Sequence, residues 1–293
     1  MRNALTIDVE EYFQAHAYEK VVGRAAWDRL PARVVDNTRR ILALLAEHRT
    51  HATFFVLGWV ADRHPALVRE IAARGHELAS HGYGHELVYR QTRAEFADDL
   101  GRSLAAIRRA LGNGASGDRT VLGYRAPSFS LTDDCRWALD VLGEHGLRYD
   151  SSVQPAAGTG SRLRGGKRAG LTGAGRFAAR IGERLWEFPV STVRLAGRNW
   201  PVAGGGWFRL LPLAVTRRAI ARINREGRPA VVYLHPWEFD PAEPEVPGAA
   251  ALSRFRHRLN LHKTEARLRR LLAEGAFGPM REVFAAELAG RAA

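Results

Sequence analysis

Short apolar runs alternate along this chain with amphipathic helical stretches, and most of those stretches close on a glycine before the next run. Val34, Ile41, Leu42 and Leu45 share one helical face, and Ala52-Thr53-Phe54-Phe55-Val56-Leu57 then has the length and composition of a buried strand. Pro65 suits the first turn of a helix ending at Gly75, and Glu77-Leu78-Ala79-Ser80 reads as the next strand. Thr92-Arg93-Ala94-Glu95 has the form of a capping box, with the stripe Phe96, Leu100, Leu104, Ile107, Leu111 behind it. Val121-Leu122-Gly123-Tyr124, Leu147-Arg148-Tyr149 and Val231-Val232-Tyr233-Leu234 continue the strands. Residues 133–146, 213–226 and 264–274 continue the helices. Such alternation argues an α/β fold, a parallel sheet covered by helices.

Residues 152–212 break the alternation with a Gly- and Arg-rich loop, the strand-like Leu185-Trp186-Glu187-Phe188-Pro189-Val190 and a glycine triplet at Gly204-Gly205-Gly206. They read as an insertion with antiparallel pairing. The expectation is one domain over 293 residues: core at 1–150 and 213–240, insertion at 151–212, helical extension at 241–293. The apolar fraction of 46% can fill such a core, and no run reaches the length of a membrane span. Met1-Arg2-Asn3 leads straight into a strand without a signal peptide, and Cys135 is the single cysteine, so a cytoplasmic location is expected.

The formal charge of +13 invites a reading as a binder of nucleic acid or acidic polymer. Lys20, Lys167 and Lys263 are the only lysines among 44 basic side chains, and Ala and Gly are abundant too. That bias favours solvated background charge, no nucleic-acid motif accompanies it, and no nucleic-acid partner is expected. The densest basic stretch, residues 162–184, is a candidate contact for anionic lipid head groups at the inner face of the membrane.

Asp8, His81, Arg125, Asp150 and His235 each follow directly on an apolar run. In (β/α) barrels the catalytic groups come from the C-terminal ends of several strands. His81 and His85, four residues apart in a glycine-containing turn, can converge on one divalent metal ion. Asp8 and Glu10 are i and i+2 on a strand and so face one side. One can serve as metal ligand and the other as base; alternatively, Glu10-Glu11 opens a solvated loop.

These residues carry a resemblance. Thr6-Ile7-Asp8-Val9-Glu10, Ser80-His81 with His85, Arg125-Ala126-Pro127 and Leu234-His235 fall in the order of the motifs of polysaccharide deacetylases, the NodB-homology carbohydrate esterases. The segments Asp8 to Phe13, Tyr124 to Ser130, Tyr149 to Ser152, Gly204 to Pro212 and His235 to Asp240 are similar to one branch. That branch is found in exosortase-linked exopolysaccharide loci and has a DUF3473-type C-terminal region; Phe255-Arg256-His257 and Asn260-Leu261 resemble it too.

The resemblance implies a distorted (β/α) barrel of the seven-stranded type and a metal-dependent hydrolase that removes N-acetyl groups from an amino sugar. Asp8 would be the base, Arg125 its orienting cation, His235 the acid with Asp150 behind it, and His81 and His85 metal ligands. The commoner motif has a second aspartate where this chain has Val9, so Glu10 is the substitute third ligand for a zinc-like ion. The alternative is a weaker site of two histidines. The expected partner is an acetylated amino-sugar polymer or a lipid-linked oligosaccharide. The competing readings are an amidohydrolase acting on a non-sugar amide and a non-catalytic binder of acidic polymer.

Leu234 is a candidate wall for the acetyl methyl. Trp237, Glu238 and Asp240, together with Trp207, Phe208 and Arg209, are candidates for a sugar groove, and ordinary packing competes for each of them. Tyr12 and Phe13 are similar cases. Tyr83, between the two histidines, is a candidate for shaping the site.

Overall fold

The computed structural model describes residues 1–112, 121–155, 175–181 and 185–290. Its centre is a curled sheet built around β1 (Asn3–Val9). The other strands are β2 (Thr53–Val56), β3 (Glu77–Ser80), β4 (Gly123–Tyr124), β5 (Tyr149–Asp150), β6 (Ala179–Ile181) and β7 (Leu185–Glu187), then β8 (Thr192–Leu195), β9 (Arg198–Pro201), β10 (Val231–Leu234) and β11 (Phe277–Gly278). The main sheet runs β10-β1-β2-β3-β4-β5-β7-β6, with β11 also on β1. Every pair in it is parallel except β6 with β7. All seven residues of β1 are buried, as expected for a parallel strand covered on both faces.

The helices are α1 (Val34–Glu47), α2 (Gly58–Arg63), α3 (Pro65–Ala73), α4 (Arg93–Leu111), α5 (Trp137–Glu144), α6 (Gly205–Leu210), α7 (Leu213–Arg225), α8 (Ala251–Arg258), α9 (Leu261–Glu274), α10 (Met280–Val283) and α11 (Ala285–Leu288). The stripe of α4 is buried as its spacing predicts, from Phe96 to Leu111. Thr92 caps it: its hydroxyl accepts the Glu95 N–H at 3.3 Å, and Glu95 returns a bond to the Thr92 N–H at 2.7 Å. Thr92→Ala is expected to cost about 1 kcal/mol, read as a lower denaturation midpoint at unchanged denaturant slope.

Two differences from the sequence reading concern the later half. Residues 151–212 do not lie wholly outside the sheet, because β7 pairs in parallel with β5, Asp150 opposite Glu187. The strand-like composition of Leu185-Trp186-Glu187-Phe188-Pro189-Val190 predicts a strand but cannot name its neighbour. Antiparallel pairing does occur, in β6–β7 and in the separate hairpin β8–β9. The glycine triplet leads into the helix α6. The segment after residue 240 contains helices and also β11, which returns to pair with Asn3 and Ala4. Of the basic stretch 162–184, residues 162–174 and 182–184 lie outside the described residues.

Parallel pairing puts the C-terminal ends of β1, β3, β4, β5 and β10 on one rim of the sheet. Asp8, Glu10, His81, Arg125 and His235 are therefore delivered to the same side by backbone hydrogen bonding alone.

Candidate metal and catalytic site

Arg125 is wholly buried, and each of its three side-chain nitrogens is hydrogen-bonded. Its Nη1 donates to Asp8 Oδ1 and to Thr6 Oγ1, both at 2.7 Å; Nη2 donates to Ser151 Oγ at 2.9 Å and Nε to the Ser151 carbonyl at 3.1 Å. The guanidinium also lies over the Phe55 ring, 4.1 Å from its centroid. A buried cation is tolerable only when paired and hydrogen-bonded in this way. Asp8 Oδ1 is taken by Arg125, while Oδ2 faces His235 Nε2 at 3.9 Å.

His81 continues β3, its N–H donating to the Val56 carbonyl. Its Nδ1 lies 2.8 Å from the Arg125 carbonyl, which can only accept. Nδ1 therefore carries the proton, and the Nε2 lone pair is turned toward Glu10. His85 takes a left-handed backbone, φ 53°, and its Nε2 is 2.8 Å from Glu10 Oε2. The turn between the histidines is held from α4: Asp99 accepts the N–H of Tyr83 at 2.7 Å and of Gly84 at 3.1 Å. Gly82 has φ 75°, and a Cβ on it would stand 2.8 Å from Asp99 Oδ2, so the turn requires glycine there.

One ligand atom each from Glu10, His81 and His85 lies within 4.8 Å of the others. Burial pushes the Glu10 carboxyl up, but the neighbouring His85 and His235 outweigh it and hold Glu10 well below the usual range. Burial dominates at His81 and pushes it down to about 4, despite the raising pull of Asp8. An ionised carboxylate beside a neutral imidazole is the state a divalent cation needs, so these residues fit a metal.

His235 sits across the pocket. Burial pushes it down, but Glu10, then Glu238, then Asp8 outweigh that and raise it to about 9. Its Nδ1 is 2.7 Å from Glu238 Oε1, which directs Nε2 to the space between Asp8 Oδ2 at 3.9 Å and Glu10 Oε1 at 3.8 Å. Glu238 is completely buried and receives Arg209 Nε at 2.7 Å. Arg209 Nη1 in turn donates to the carbonyls of His257 and Leu259. Trp237 donates Nε1–H to Glu10 Oε1 at 3.0 Å, and its ring stacks between His235 and His257. The pocket holds about 350 Å³ and is lined by Asp8, Glu10, His81, His85, His235 and Trp237, with Phe129 and Tyr233 the large apolar side chains beside them.

Several candidates go elsewhere. Asp150 is not behind His235. Its Oδ1 accepts from Ser152, and burial beside Glu187, its partner across β5 and β7, raises it. Glu238 takes the place expected for Asp150, because the short turn Pro236–Phe239 folds it back onto His235. It is consequently no wall of a sugar groove. Leu234 is 0% exposed and belongs to the core, since alternation on β10 turns Tyr233 and His235 to the pocket instead.

Tyr83 hydrogen-bonds Asp62 and lies under Arg102, and Trp207 is half-buried outside the pocket lining. Asp240 pairs with Arg33, and Tyr12, Phe13 and Phe208 are core. Sequence reasoning missed Asp99 altogether, because nothing in its helical position signals a turn it caps through space. It also missed Glu238 as the partner of His235, although the His-x-x-Glu spacing of a capping box is visible, and it missed the pairing of Glu238 with Arg209.

Residues 20–149 match the family model described as polysaccharide deacetylase. The chain carries a polysaccharide deacetylase domain. Residues 151–285 match DUF3473, a domain of unknown function. The deacetylase domain thus contains His81, His85 and Arg125, whereas Arg209, His235, Trp237 and Glu238 fall in the second match. The chain is 56% identical over 48 residues, 16% of its length and 22% of the relative's, to a chitooligosaccharide deacetylase of Rhizobium leguminosarum bv. trifolii. It is 40% identical over 73 residues, 25% of its length and 33% of the relative's, to one of Bradyrhizobium sp. (strain ANU 289). The chain thus spans a third or less of these relatives' own length. A solved structure from Mycobacterium smegmatis, assigned to the polysaccharide deacetylases, aligns over 97% of this chain and 90% of its own. Its TM-score is 0.60 at 23% identity, and it shares the fold.

Proposed function

We propose that this pocket hydrolyses the N-acetyl group of an amino sugar within an oligo- or polysaccharide, with a zinc-like divalent ion held by Glu10, His81 and His85. The observation that carries the proposal is the convergence, in one pocket, of that ligand set with a carboxylate, Asp8, and an imidazole, His235, whose Nε2 faces Asp8 Oδ2 at 3.9 Å. Relatives named chitooligosaccharide deacetylase support the substrate class. The resemblance of the segments around Tyr124 and His235 supports the narrower choice of an exopolysaccharide or its lipid-linked precursor.

When bound, the cation supplies Lewis acidity that polarises the acetyl carbonyl and acidifies water. Asp8, fixed by Arg125 at Oδ1, takes the proton of the attacking water on Oδ2. His235 gives its Nε2 proton to the departing amine nitrogen, with Glu238 holding the ring in the orientation that makes this possible. Phe129 and Tyr233, with ring centroids 4.9 Å apart, offer an apolar surface to the acetyl methyl.

Bound metal and acetate release from N-acetylglucosamine oligomers, measured side by side in the parent and in His81→Ala, test the reading. Both are expected to be lost together in the variant. Glu10→Gln is expected to weaken metal binding by more than about 100-fold, the upper range for losing only an outer partner. Equal affinity in parent and Glu10→Gln would remove Glu10 from the ligand set. Asp99→Ala is expected to weaken metal binding about 10–100-fold by titration calorimetry, because it frees the turn between the histidines without touching the ion.

A further inference from the structure

We propose that helix α8, beside the mouth of the pocket, is the face by which this protein rests on an anionic phospholipid bilayer. Phe255 is 62% and Leu252 59% exposed; apart from Met1, no other large apolar side chain among the described residues is as open to solvent. The two are three residues apart and so share one side of the helix. Val21, itself 42% exposed, belongs to the loop that packs against α8 through the contact of Tyr18 with the His257 ring.

The same short helix carries Arg254, Arg256 and Arg258. Arg254 and Arg256 form no ion pair among the described residues. The nearby carboxylates are mostly committed: Glu243 is buried against His257, and Glu19 is engaged by His16 and Arg90. Glu245 is the exposed exception.

Arginine interleaved with exposed leucine and phenylalanine fits one kind of surface best. A soluble polyanion would satisfy the guanidinium groups and leave the apolar side chains in water. An apolar protein groove would cover Leu252 and Phe255 and strand the charges. The interface of an anionic bilayer takes both at once, apolar groups at the acyl boundary and arginines among the head groups. The formal charge of +13 adds attraction of the same sign.

Arg256 and His257 also line the pocket, so docking by α8 brings the pocket mouth to the membrane surface. On the functional reading above, that is where a sugar chain on a lipid anchor would present its acetamido groups.

The test is co-sedimentation of the full chain with phosphatidylcholine vesicles and with phosphatidylcholine–phosphatidylglycerol vesicles, at low and high salt. The parent is expected to bind only the anionic vesicles and to be released by salt. Leu252→Ser/Phe255→Ser is expected to lower the partition coefficient about tenfold or more. A control pair, Leu195→Ser/Trp200→Ser, alters the exposed hairpin β8–β9 and is expected to bind like the parent. Unfolding midpoints establish that both variants remain folded.

No binding by the parent, equal binding to neutral vesicles, or a loss confined to the hairpin variant would each overturn the proposal. So would a parent dimer that the α8 variant dissociates, since the face would then meet a second copy. Acetate release from soluble oligomers is scored separately. A parent that binds vesicles and releases no acetate removes the functional reading and leaves this face standing.

Discussion

Arg125→Met is expected to destabilise the protein by about 3–5 kcal/mol and to abolish acetate release. The guanidinium occupies a wholly buried position, and its strongest partner is the buried Asp8 carboxylate at 2.7 Å. Removing the cation leaves the buried Asp8 carboxylate without its partner, with Glu10 on the other side of His235 Nε2. The hydroxyls of Thr6 and Ser151 lose less, because each still donates to a carbonyl, of Val232 and Phe188 respectively. Most of the loss should therefore trace to the stranded carboxylate.

The double variant Asp8→Leu/Arg125→Met separates that cause from simple packing. It replaces the whole pair by apolar groups and is expected to recover most of the stability lost by Arg125→Met, with no recovery of activity. If the double variant were as unstable as the single one, the cost would lie in the lost packing of Arg125 over Phe55. Asp8→Asn adds the chemical half of the test. It keeps an acceptor for Arg125 but loses basicity, so kcat is expected to fall about 10²–10⁴-fold with a much smaller change in unfolding midpoint.

The division between what the chain discloses and what it conceals has a physical basis. Strand ends are legible because a parallel sheet is built by local periodicity, and the residue after each apolar run must emerge on one rim. That ground groups Asp8, His81, Arg125, Asp150 and His235; Asp8, His81 and His235 line the pocket, Arg125 lies buried behind Asp8, and Asp150 does not join them. Side-chain partners across the sheet are set by which strands become neighbours, and periodicity does not encode neighbours. Asp150 illustrates this: its strand lies beside β7, so its carboxyl meets Glu187 and not His235. Leu234 illustrates the period-two rule applied one residue out of step, since His235 facing the pocket already sends Leu234 to the core. Asp99 and Arg209 act through space from helices α4 and α6, and no spacing marks them.

His235 gives the second large effect, one that reverses with metal. In the metal-free protein its imidazole is raised to about 9, with Glu10 the largest of the raising charges. The unfolded chain should titrate near the ordinary value of about 6.5. The protonated ring therefore contributes its full stabilisation below about 6.5, on the order of 3 kcal/mol, and loses it as pH rises through about 9. Removing the Glu238 carboxylate by Glu238→Gln narrows that window from the alkaline side, because one of the three raising carboxylates is gone. It also lets the ring swing, so kcat is expected to fall even at pH values where His235 stays protonated. A cation on Glu10 cancels the largest raising charge and adds a positive one. The His235 titration, followed by imidazole NMR, is thus expected near 9 without metal and closer to neutrality with it. The alkaline limb of kcat for the loaded protein should move with the second value and not the first. A His235 signal that titrates at the same pH in both forms would show that the ion does not sit on Glu10, and would leave only the two histidines to hold it.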